Sequence, residues 1–155
     1  MPLEGLEAYL EKSGVKVRFW TFKSHTMTVD DAERQLGVSR ENIVKSIVFV
    51  DEDDAPILAI VPGDRKVSRE KLAGACGVNR VRIAGSLEVE ELTGYEAGAI
   101  PPVGHEKPLR TLMDSRVLTL ERVFGGGGAL NVLLEMDPRD IKRLANAGVA
   151  DISEG

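Results

Sequence analysis

Leu3, Leu6 and Leu10 recur at helical spacing and Ser13-Gly14 supplies a stop, so the pattern predicts an amphipathic helix over residues 3–13. From Val15 to Phe22 the pattern changes to alternation with β-branched and aromatic residues, the mark of a strand. Thr28 is placed to cap a second helix in which Val29, Ala32 and Leu36 share a face and which Gly37 closes, and Ser39 opens a further short turn. Ile43 to Val50 then runs apolar on both faces, as a central strand does. Lys45 interrupts that run. By alternation it shares a face with Ile43, Ile47 and Phe49, so its stem meets apolar neighbours while its ammonium must reach water, an acceptor or a ligand. A cleft satisfies it, and so does snorkelling to solvent from the start of the strand.

Asp51 to Asp54 make an acidic turn, and Ile57 to Val61, ending at Pro62-Gly63, completes a hairpin with the preceding strand. Ser68 caps a helix through about Ala75, Val81 to Ile83 is a short strand, and Ser86 caps a helix ending at Thr93-Gly94. Leu109 to Met113 and Val117 to Leu120 read as strands around a turn at Asp114-Ser115, and Leu130 to Met136 as another. Asp137, Pro138 and Asp140 supply the N-cap, first-turn proline and early acidic residue of a last helix stopping near Gly148. Hairpins mixed with helices, without a regular βαβ repeat, give an α+β (mixed α/β) domain rather than a doubly wound one. At 155 residues the whole chain, 1–155, is expected to form a single domain with no linker.

Two connections stand out. Thr93 to His105 is too rich in Gly and Pro for a helix or central strand, yet Tyr95, Ala97, Ala99, Ile100, Pro101, Pro102 and Val103 make it mostly apolar. It reads as a rigid loop packed against something, either a ligand or the core beneath an Ω-loop. Gly125 to Gly128 could cradle a phosphate with backbone N–H groups, but lacks a Walker lysine and a following helix; alone it reads as a flexible strand connection.

Composition narrows the chemistry. With 43% apolar and 29% charged residues and no apolar run of spanning length, the chain has the make-up of a soluble globular protein. The acidic N-terminal stretch lacks signal-peptide character, which makes the cytoplasm the expected compartment. Cys76, the single cysteine, excludes an internal disulfide and reads as a packing residue at a helix end, with nothing nearby to lower its pKa. With only His25 and His105 for company it builds no zinc site, and no Ser-His-Asp or Cys-His arrangement appears, so neither metal nor cofactor is expected. A net charge of −5 excludes a protein that grips duplex DNA with its whole surface. Arg65, Lys66, Arg69 and Lys71, then Arg80 and Arg82, suffice for a few phosphates or are ordinary solvated positions.

Taken together, several segments resemble the YbaK family of free-standing aminoacyl-tRNA deacylases, related to the editing domain inserted in bacterial prolyl-tRNA synthetases. The resemblance rests on Val44-Lys45-Ser46, on Val61-Pro62 followed by Val67-Ser68 and Lys71-Leu72, and on Thr93-Gly94-Tyr95 leading to Gly98-x-x-x-Pro102-x-Gly104. It continues through Thr111-Leu112-Met113-Asp114, Gly125-Gly126 and Asp140-Ile141, spanning about residues 15–152. It implies a curved mixed β-sheet or partial barrel wrapped by helices, with one pocket for the aminoacylated 3′-terminal adenosine of tRNA. Lys45 would contact the terminal phosphate or position the ester. Gly98, Ala99, Ile100, Pro101 and Pro102 would line the aminoacyl pocket, with Gly104, His105, Gly125, Gly126 and Gly127 as further substrate-binding candidates. For His105 that means the α-amine or a water, against a plain solvated turn residue.

The implied activity is trans-editing of mischarged tRNA, with alanyl- or cysteinyl-tRNA of the proline type as the expected substrates. The partners would be the tRNA acceptor end and, as a candidate, prolyl-tRNA synthetase, without membrane. A non-catalytic module binding a tRNA 3′ end, a nucleotide or a synthetase through the same pocket is the alternative. Two departures bear on substrate: Gly98-Ala99-Ile100-Pro101-Pro102 stands where the cysteine-removing branch commonly reads Gly-Gly-Ile-Ser-Pro, and Gly127 and Gly128 stand where it carries basic residues.

Overall fold

The computed structural model describes residues 2–26 and 28–154. Met1, Met27, Gly155 and the side chains of Pro2, Leu3 and Glu4, including the Leu3 position of the first apolar face, lie outside that description.

Helix α1 (Pro2–Ser13) leads to β1 (Val17–Thr21) and α2 (Val29–Leu36). Thr28 caps α2 by accepting a hydrogen bond from Asp31 N at 3.1 Å, and Gly37 closes it in the left-handed conformation. A single 3₁₀ turn, Arg40–Asn42, precedes the hairpin of β2 (Val44–Asp51) and β3 (Pro56–Pro62). After β4 (Lys66–Val67) come α3 (Arg69–Cys76), β5 (Val81–Ile83), α4 (Ser86–Thr93) and β6 (Arg110–Asp114). The chain ends with β7 (Val123–Gly126), β8 (Val132–Met136), α5 (Pro138–Ala145), β9 (Gly148–Ala150) and β10 (Ser153–Glu154).

The five-stranded sheet runs β5-β2-β3-β6-β9, antiparallel except for the parallel pairs β3–β6 and β6–β9. A three-stranded antiparallel sheet, β1-β8-β7, meets it through an isolated parallel bridge between Ile43 and Phe124. The fold is α+β, and among the described residues no barrel closes.

Both faces of the large sheet are buried, as the unbroken apolar run over β2 requires. Val44, Val48, Leu58, Ile60, Ile100 and Met113 pack on one side; Phe49, Ile57, Ala59, Val61, Leu72 and Cys76 pack on the other, beneath α3. Each fully buried aliphatic side chain contributes about 1.5–3 kcal/mol, against at most about 1 kcal/mol for an exposed ion pair. The sheet therefore sets the frame.

The structure corrects several local expectations. Val117 to Leu120 is not a strand: Val117–Thr119 forms a 3₁₀ turn, because the Asp114 carboxylate accepts from Arg116 N at 3.0 Å and coils the chain. The last helix stops at Asn146, whose left-handed conformation ends it before Gly148 begins β9. Gly85, not Ser86, is the N-cap of α4. Gly125 and Gly126 are not a flexible connection but part of β7, paired with Leu134 and Leu133.

Candidate active site

Strand β2 pairs with β3 from Val44 to Val50, but with β5 only from Phe49 to Asp51. The edge over residues 44–47 is thus left open by β5. Ala84 N donates to Val48 O at 2.9 Å, which puts the backbone groups of even-numbered residues on that side. Ser46 therefore presents its own N–H and C=O to the open edge. Against this edge lies a cavity of about 210 Å³, lined by Lys45, Ser46 and Ile47, by Gly98 and Ile100 of the loop, and by Gly125 and Gly126. Thr26, Thr28, Val29, Ala32, Ile43, Val44 and Leu133 complete its lining.

Lys45 reaches the tight connection between β3 and β4, where its Nζ donates to Arg65 O. Gly63 makes that connection tight: a Cβ there would stand 2.6 Å from Arg40 O and 2.8 Å from Ile43 O. Arg65 in turn donates to Ser153 Oγ at 2.8 Å, tying the turn to β10. Burial holds the Lys45 ammonium below the usual lysine range, a tendency that Asp64 opposes and Lys66 reinforces. A partly desolvated cation at a cavity mouth is suited to an anionic group of a ligand.

The loop that walls the cavity is fixed at its start and in its middle. Thr93 Oγ1 donates to Val89 O at 2.7 Å and accepts from Tyr95 N at 3.0 Å, while Gly98 takes a positive φ of 91° that a side chain would strain. Gly128 N donates to Ala99 O at 2.9 Å, so the glycine stretch serves as the loop's backbone partner. Cβ atoms on Gly125 would meet Val44 Cγ2 at 3.1 Å and Pro102 Cδ at 3.5 Å, and one on Gly126 would overlap the Ile100 carbonyl. The unbroken glycine run lets β7 press against Ile100 and Pro102 and form the cavity floor.

Residues 23–144, more than three quarters of the chain, match the aminoacyl-tRNA editing domain. The chain belongs to that family. It is 26% identical to a candidate Cys-tRNA(Pro)/Cys-tRNA(Cys) deacylase, EbsC, of Enterococcus faecalis over 127 residues, 82% of this chain and 77% of the relative. It is 29% identical to the proline–tRNA ligase of Brachyspira hyodysenteriae over 124 residues, 80% of this chain but only 21% of the ligase. A solved structure of a candidate trans-editing enzyme for prolyl tRNA synthetase superposes with a TM-score of 0.87 at 33% identity, covering 99% of this chain and 98% of the other.

Within this editing domain the candidates from sequence divide. Lys45, Gly98, Ile100, Gly125 and Gly126 meet at this cavity. Ala99, Pro101, Pro102, Gly104, His105 and Gly127 are not on its lining. Pro102 supports Gly125 from behind, Gly104 packs on Leu6 and Tyr9 of α1, and Gly127 N donates to Val132 O at 3.1 Å in the β7–β8 turn. His105 faces the opposite side of the loop, with Nε2 2.7 Å from Pro101 O and its ring edge-on to Tyr95.

Ser46 carries no mark of its own in the sequence. It lines the cavity, and its Oγ is buried with no hydrogen-bond partner among the described residues. Period-two alternation beside Lys45 places it on the opposite face, but only the gap left by β5 turns that face into a cavity. Cys76, the last residue of α3, is packed in the core, and burial pushes its thiol above the ordinary value, the reverse of an activated nucleophile. Among the described residues the cavity lining supplies a cation, hydroxyls and backbone groups but no acid–base pair, a set suited to orienting an already activated ester.

Proposed function

We propose that this editing domain hydrolyses the ester of mischarged aminoacyl-tRNA, with alanyl- or cysteinyl-tRNA of the proline type as first substrates. The observation that carries the reading is the convergence of Lys45, Ser46, Gly98, Ile100, Gly125 and Gly126 on one cavity at an open strand edge, within a chain of the editing family. Pockets for drug-sized ligands run from about 300 Å³, so 210 Å³ accommodates an aminoacyl group and leaves the adenosine at the mouth. There the Lys45 ammonium is placed for the terminal phosphate. Ser46 and the open-edge backbone groups are placed for the α-amine, the ester carbonyl or the attacking water. An aminoacyl ester is activated already, so positioning and donors to the developing oxyanion suffice.

The rigid wall excludes by size. Rejecting a prolyl group that does not fit is easier than rejecting one smaller than the pocket, where a missing methylene is worth only about 1–3 kcal/mol. Residues 1–155 would act as one unit, on free aminoacyl-tRNA or beside prolyl-tRNA synthetase. The deciding experiment incubates the purified protein with tRNA charged with alanine, cysteine, serine or proline and follows ester loss. Selective acceleration for the small residues supports the reading. Binding of adenosine monophosphate with every charged tRNA left intact would replace it with a binding module.

A further inference from the structure

The cavity wall has a second side. Between that side, α1 and the start of the loop lies a separate space of about 560 Å³, and His105 stands at its border with the loop. Nε2 of His105 is 2.7 Å from Pro101 O. A carbonyl only accepts, so Nε2 carries the proton and the neutral ring leaves Nδ1 bare. Nδ1 is buried without a partner among the described residues, and the ring is held edge-on to Tyr95 with centroids 5.8 Å apart at 83°. The ring is therefore fixed in direction as well as in tautomer.

What it holds is short of other support. Residues 101 and 102 are both proline, so the peptides on either side of Pro101 carry no N–H. The orientation of this stretch is set through its carbonyls. Ala99 O accepts from Gly128 N, the Ile100 carbonyl lies against Gly126, and Pro101 O accepts from His105. Gly128 and Gly126 press from the β7 side, and His105 pulls from the opposite side.

We infer that His105 is a positioning residue: through its Nε2–H it fixes the Pro101 carbonyl, and with it the depth of the Ile100 wall that limits which acyl group enters the cavity. It acts from behind the wall and touches no substrate. The selectivity arm of this inference rests on the deacylase reading; the geometric arm does not.

The test compares His105→Leu, which keeps bulk without a donor, with His105→Gln, whose amide N–H can reach the same carbonyl. The activity-independent readouts are the imidazole tautomer, from long-range ¹⁵N–¹H correlation, and amide exchange at Ile100 and Gly128. The wild-type protein is expected to show protonated Nε2 and bare Nδ1. Losing one hydrogen bond corresponds to about tenfold faster exchange in His105→Leu, with His105→Gln near wild type. The kinetic readout is the ratio of kcat/KM for alanyl- over prolyl-tRNA, expected to fall about tenfold in His105→Leu and to recover in His105→Gln. An Nδ1–H tautomer, unchanged exchange in His105→Leu, or equal behaviour of the two variants overturns the proposal. A wild-type protein inert toward every charged tRNA overturns the deacylase reading instead and leaves exchange and tautomer to decide His105.

Discussion

Gly126 lies so close to Ile100 that a Cβ on the glycine would stand 2.7 Å from the Ile100 carbonyl carbon and 2.9 Å from that of Ala99. Both obstacles are backbone, so neither yields by a rotamer change. Gly126→Ala is expected to cost about 1–3 kcal/mol, as overpacking does, and to push Ile100 out of place. Gly125→Ala meets only the side chains of Val44 and Pro102, at 3.1 Å and beyond, and should be milder. Thermal melts with deacylation assays on both variants check this; a Gly126→Ala protein as active and stable as wild type would remove β7 as the floor of the wall.

Ser46 separates stability from function. A buried hydroxyl without a partner costs about 1–3 kcal/mol, so Ser46→Ala should be at least as stable as wild type. If the hydroxyl instead serves the substrate, kcat/KM falls at the same time, by about tenfold for one hydrogen bond. A variant both less stable and fully active would mean that Ser46 is a packing residue.

Lys45 invites the same comparison with a charge. A base whose folded pKa lies below its unfolded value of 10.5 binds fewer protons folded than unfolded. Holding it charged at neutral pH therefore costs stability, and that cost fades as pH rises through the folded value and is gone above the unfolded one. Lys45→Met is expected to melt no lower than wild type at pH 7 while losing about 10²–10³ in kcat/KM, the usual range for a lost electrostatic group. Denaturant titrations at pH 7 with single-turnover deacylation distinguish this from a structural lysine, whose replacement would unfold the protein and spare the activity of the folded fraction.

Local chemistry made much of this legible in the sequence. The Thr28 and Ser68 caps, the Gly37 stop, the β2–β3 hairpin and the doubly buried β2 each follow from a few adjacent residues, and each is present. What escaped depends on distant partners. Strands β4, β9 and β10 are two or three residues long and exist through pairing: β9 lies beside β6, and β10 beside β4. Four glycines read as slack because no neighbour within the sequence says that a loop from residues 98–102 presses on them. Lys45 was conspicuous as a cation in an apolar run, whereas Ser46 looks ordinary until β5 is seen to pair only beyond Val48.

The buried Asp114 carboxylate ties the C-terminal segment to the frame behind Lys45. It accepts from Arg116 N and Ile152 N, both at 3.0 Å, and from the Arg116 guanidinium. Ile152 O accepts from Ser68 N, and Ser153 Oγ accepts from the Arg65 guanidinium, whose own carbonyl receives Lys45. Burial alone would raise the Asp114 pKa, but these donors outweigh it and hold it below 3.8; Asp151, between Lys71 and Arg116, is lowered to about 2. A depressed folded pKa means that the unfolded chain binds the proton more readily. The stabilisation is present above the unfolded value of 3.8 and is lost as pH falls through the folded one. Asp114→Asn confronts one of those donors with an amide N–H and is expected to cost about 1.5–3 kcal/mol at pH 6, a gap that closes as pH falls through the folded value. Urea titrations of both proteins at several pH values read this directly. Two parallel stability curves, with a gap that does not close in acid, would show that the carboxylate charge is not what holds the segment.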